Sequence, residues 1–78
     1  MIYAGWLDEQ EKRYEQAKGM IMDDPKESVR VVKEISDQLK KEIMGVLTTY
    51  CKRPGHWKRT LENASIYVLL DIARLLSE

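Results

Sequence analysis

Apolar side chains recur along this chain at steps of three and four, in three blocks divided by its two prolines, Pro25 and Pro54. In the first block Tyr3, Leu7, Tyr14, Ala17 and Ile21 fall on one side of a helix, with Trp6 alongside and Gln10 filling the gap. Asp8–Lys12 and Glu9–Arg13 form acid-first pairs on the opposite side. The second block opens on Asp24-Pro25-Lys26-Glu27, a start signal in which Asp24 caps, Pro25 takes the first helical position and Glu27 stands at the capping-box position. Val29, Val32, Ile35, Leu39, Ile43, Val46, Leu47 and Tyr50 then share one face. A helix of about 26 residues is ~39 Å long, which predicts an elongated molecule.

The third block is the most apolar. A main face holds Leu61, Val68, Leu69, Ile72, Leu75 and Leu76, with Ala64 and Ser65 as small packing positions. A second stripe of Ile66, Leu70 and Ala73 follows at the same spacing, and Tyr67 lies further round. A helix apolar over most of its circumference buries more than one side. The pattern therefore predicts an all-α protein, an elongated antiparallel bundle of three helices over about 3–22, 25–52 and 58–77, in a single helical domain spanning residues 1–78.

A single domain of 78 residues is small for a self-sufficient core. The usual supports are disulfides, a structural metal or association with another chain. One Cys and one His exclude the first two within the monomer, so the composition points to a helical homodimer or a subunit of a helical complex. A lone Cys without a signal-peptide pattern predicts a cytoplasmic protein. No apolar run approaches the ~18 residues of a membrane span, so no membrane partner is expected.

Formal net charge is zero, which gives the whole chain no general attraction to polyanions. The charge is unevenly placed. Residues 1–24 carry six acids and three bases, whereas residues 51–60 carry four bases and no acid. That stretch, Cys51-Lys52-Arg53-Pro54-Gly55-His56-Trp57-Lys58-Arg59-Thr60, also holds the only Cys and the only His. Much of it reads as a turn: Pro54-Gly55 is turn chemistry, Lys52 and Arg53 complement the end of the second helix, and Trp57 folds back on Tyr50. Lys58 and Arg59 do not fit, because the start of a helix disfavours cations. Lys52, Arg53, His56, Trp57, Lys58 and Arg59 thus form a candidate anion-binding tip, suited to weak, salt-sensitive contact with nucleic acid or an acidic partner.

No motif carries chemistry. There is no glycine-rich phosphate loop, no metalloprotease helix and no paired-cysteine motif, and neither His56 nor Cys51 has the partners that metal binding or nucleophilic catalysis requires. No catalytic residue, metal ligand or cofactor is expected; a composite site across a dimer is the one enzymatic route left. The sequence predicts a small regulatory or adaptor protein that binds another protein or itself through Ile66, Tyr67, Leu70 and Ala73. The alternative is an accessory nucleic-acid- or phosphate-binding protein working through residues 51–60.

Overall fold

A computed structural model describes residues 1–53 and 55–77. It is all-helical, with four helices: α1 (Ala4–Gly19), α2 (Pro25–Tyr50), α3 (Gly55–Glu62) and α4 (Ile66–Leu75). No strand occurs among the described residues; one isolated parallel bridge joins Ile2 to Ser77, with the Ile2 amide donating to the Leu76 carbonyl at 3.1 Å.

The second helix follows its pattern. Pro25 opens it, the Asp24 side chain accepts from the Glu27 amide at 3.2 Å, and Ile35, Leu39 and Ile43 are buried. Glu27 does not complete a reciprocal capping box; its carboxylate pairs with Arg30 instead, which holds it below the usual carboxylate range. Helix α1 stops at Gly19, three residues short of expectation, and Ile21 and Met22 are left exposed. The predicted pairs Asp8–Lys12 and Glu9–Arg13 are not formed. Asp8 meets Arg74 of α4, and Arg13 bridges Gln10 and Glu34.

The predicted third helix is two helices. Asn63-Ala64-Ser65 interrupts it, Ser65 is extended (φ −71°, ψ 162°), and its hydroxyl accepts from the Val68 amide at 3.4 Å. A serine hydroxyl competes for backbone amides and so favours helix starts over helix interiors. The interruption reverses the chain. Tyr67 lies against Tyr14 and Lys18, while Arg74 lies against Asp8 and Glu11, so α4 runs antiparallel to α1. Ala17 meets Ser28 and Arg13 meets Glu34, so α1 runs antiparallel to α2. The last helix is therefore parallel to α2, the opposite of the direction expected for an unbroken third helix in an antiparallel bundle.

Helix α2 is the spine. Helices α1 and α4 pack on it and on each other, and α3 returns along its C-terminal part. Leu7, Tyr14, Ala17, Ile35, Leu39, Ile43, Leu61, Leu69 and Ala73 form the buried core, and Ile2 joins it from outside any helix. Burying Leu69 alone contributes about 1.5–3 kcal/mol. The Cα envelope measures 45 × 25 × 14 Å, so the molecule is long and little more than one helix spacing thick.

Candidate functional site

The last helix buries an arc that lies between the two stripes read from the sequence. Leu69 and Ala73 are at its centre and fully buried; Ile66 and Leu70 flank them on one side, Ile72 and Leu76 on the other, all half-buried against the core. Three of the four residues assigned to a partner surface, Ile66, Leu70 and Ala73, thus pack inside the monomer. Tyr67 remains 58% exposed. Two residues assigned to the core, Val68 and Leu75, face outward at 45% and 83% exposure. The reversal at 63–65 causes this exchange, because it places α4 against both α1 and α2 rather than along α2 alone.

Beside Tyr67 the α1–α4 seam opens into a groove of about 490 Å³ lined by Asp8, Glu11, Lys12, Tyr14, Glu15, Tyr67 and Leu70. Tyr14 is 7% exposed and meets Tyr67 edge to face at a centroid distance of 5.5 Å. Lys18 holds its ammonium 5.2 Å from one ring centroid and 6.0 Å from the other. Burial pushes the Tyr14 phenol up to about 12, with the Tyr67 hydroxyl and the Glu15 carboxylate adding to the shift. Arg74 spans Asp8 at 3.0 Å and Glu11 at 2.6 Å, bonds that raise its own affinity for the proton, Glu11 contributing more. Glu15 pairs with Lys18 at 3.4 Å. Every carboxylate lining this groove is thus matched by a cation of the same chain, Asp8 and Glu11 across the α1–α4 contact and Glu15 within α1.

The opposite end is different. Helix α2 ends at Tyr50, Cys51 is extended and half-buried, and the His56 amide reaches back to the Arg53 carbonyl at 3.2 Å. Pro54, to which the sequence assigns the turn, lies outside the described residues. Helix α3 begins at Gly55, three residues earlier than expected. Lys58 keeps its place in a first turn, but Arg59 falls in the last turn of this short helix, where the dipole favours it. The conflict seen in the sequence narrows to Lys58. Trp57 does not close on Tyr50: among the described residues the one aromatic pair is Tyr14–Tyr67, and Trp57 and Tyr50 are 44% and 70% exposed.

Lys52, Arg53, His56, Lys58 and Arg59 are all exposed. The structure brings two further cations to one of them, Lys58. A second groove, of about 250 Å³, lies between α2 and α3 and is lined by Lys40, Lys41, Met44, Lys58, Leu61 and Glu62. Residues 40–62 hold six Lys and Arg against Glu42 and Glu62, a local net charge of +4. None of those six cations takes part in any of the described ion pairs, which draw only on Arg13, Lys18, Arg30 and Arg74. Sequence reasoning missed Lys40 and Lys41 because they sit seventeen or more residues before Lys58, on a helix whose polar side looked merely solvated.

Among the described residues no three His, Cys, Asp or Glu side chains gather as a metal site, and no helix is long and apolar enough to cross a membrane. Comparison with known proteins returns no matching family model, no similar curated protein and no similar solved structure.

Proposed function

We propose that this protein is a non-enzymatic helical interaction module that pairs with a second protein chain, its own copy first, through the outer face of α4. The observation that carries this reading is the exposure of Val68 and Leu75 on the most apolar helix, next to the exposed ring of Tyr67. Area supports it. The chain exposes 5657 Å², against about 4,900 Å² for a compact monomer of its mass. The excess of about 750 Å² is close to the ~800 Å² that each partner contributes to a standard interface. The interface stays as first read at Tyr67, but its apolar anchors move from Ile66, Leu70 and Ala73 to Val68 and Leu75. A cytoplasmic location suits the single half-buried thiol of Cys51, which stays reduced there.

Sedimentation across a dilution series tests the reading. Wild type is expected to associate at micromolar concentration, and Leu75→Glu with Val68→Asp to shift it to monomer without loss of helical signal. A wild type that stays monomeric and retains no protein partner would sink it.

A second reading rests on a separate observation, the six cations of residues 40–62 that lie outside every described ion pair. In it, the basic end contacts an anionic partner and adds charge complementarity to the module. Nucleic acid bound by so few cations is held weakly, and its affinity is expected to fall steeply as salt rises.

A further inference from the structure

We infer that the lysine-rimmed groove between α2 and α3 receives the backbone of single-stranded nucleic acid, a proposal that rests on the anionic reading of the basic end. The groove has an apolar floor, half-buried Met44 and fully buried Leu61, and Lys40, Lys41 and Lys58 stand round it. Glu62 is its one acid. The exposed rings of Trp57, which directly precedes Lys58 on α3, and of Tyr50, on the last turn of α2, belong to the same end of the molecule.

Three arguments select this occupant. First, the five acids in described ion pairs, Asp8, Glu11, Glu15, Glu27 and Glu34, all lie outside residues 40–62 and are engaged with Arg13, Lys18, Arg30 and Arg74. Charges more than ~8–10 Å apart in physiological salt are largely screened from one another. Six cations stand against Glu42, Glu62 and Asp37, the last one turn before Lys41, so this region acts as a local field of about +3 rather than as part of a neutral whole. Second, exposed aromatic rings beside cations are the pairing that holds unpaired bases, each stacked base adding to affinity. A duplex hides its base faces and would leave Trp57 and Tyr50 unused. An acidic peptide would satisfy the lysines but offers nothing flat for the rings. Third, Lys58 stands in the first turn of α3, where the dipole works against it, and a phosphate between Lys58 and Lys40–Lys41 would offset that repulsion.

The test is a fluorescence-anisotropy titration of the full chain with a labelled deoxythymidine oligomer of about twelve nucleotides. A duplex of the same length and a polyglutamate peptide serve as parallel probes. With six cations engaged, the log–log salt slope is expected near −4, a roughly 300-fold loss of affinity between ~50 and ~200 mM salt. Lys40→Gln with Lys41→Gln should flatten that slope by about 1.4. Trp57→Ala should weaken the single strand at least about fivefold and leave polyglutamate unaffected. Should the half-buried Lys40 prove necessary for folding, Lys41→Gln with Lys58→Gln, both exposed, gives the same readout.

If the oligomer binds and its slope responds to Lys52→Gln and Arg53→Gln but not to the groove lysines, the groove proposal is overturned and the anionic reading survives. If polyglutamate or the duplex binds as tightly as the single strand, the assignment to single strands fails. If nothing binds at ~20 mM salt, both readings fall.

Discussion

At the scale of single residues, Tyr14 shows how one side chain ties two helices together. Its ring is buried under Tyr67, and its phenol is pushed up to about 12 from the ordinary 10.0, first by burial. The folded chain holds that proton more tightly than the unfolded chain does. The associated stability is complete below pH ~10 and is lost as pH rises from there toward ~12, because the unfolded state ionises first. Tyr14→Phe removes this contribution. The difference in urea stability between wild type and the variant is expected to shrink from about pH 8 to about pH 11; a constant difference would show that Tyr14 ionises freely. Periodicity alone placed Tyr14 on the buried side of α1. Its partners were not readable, because Tyr67 and Lys18 reach it from another helix and from the next turn.

At the scale of elements, the decisive feature is the break at Asn63–Ser65. Its cap was legible in principle: Ser65 stands directly before an apolar run, which is a helix-start signal. The apolar spacing continues unbroken from Leu61 to Leu76, however, and no acid stands at Val68 to complete a capping box. Period therefore argued for one helix while local chemistry argued for two. Ser65→Ala removes the side-chain acceptor from the Val68 amide and is expected to lower stability by about 1 kcal/mol. Thr60→Ala, on the exposed side of α3, should change it by less than about 0.5 kcal/mol. Urea unfolding of the two variants side by side checks this, and equal effects would show that the Ser65 cap is idle. The break also explains the basic turn. Once the segment is split, Arg59 closes a short helix instead of opening a long one, and only Lys58 remains at odds with the helix dipole.

At the scale of the whole molecule, the sequence made three things plain: helical class, a long central helix and the focusing of positive charge. Each is carried by residues close together in the chain. The direction of α4, the residues it buries and the groove of Lys40, Lys41 and Lys58 were not plain, because they depend on which distant segments meet. Shape belongs to the same category. The Cα radius of gyration is 13.1 Å, against ~11.5 Å for a compact domain of this length, an elongation set by the long α2. The described ion pairs fall on α1, α2 and α4, and none of them draws on the cations of residues 40–62. The exposed apolar side chains of α4, Val68 and Leu75, and the cations of residues 40–62 thus belong to different segments of the chain.

Because Ile2 meets Ser77, the contacts that complete the fold span nearly the entire chain. Helices α1 and α2 find each other across eleven residues, from Ala17 to Ser28, whereas Arg74 reaches Asp8 across sixty-six. Closing the longer loop costs about 1.6 kcal/mol more in chain entropy, so the α1–α2 hairpin is the cheaper nucleus. The fourth helix then docks as the closing step, with Ile2 and Ser77 as the seam.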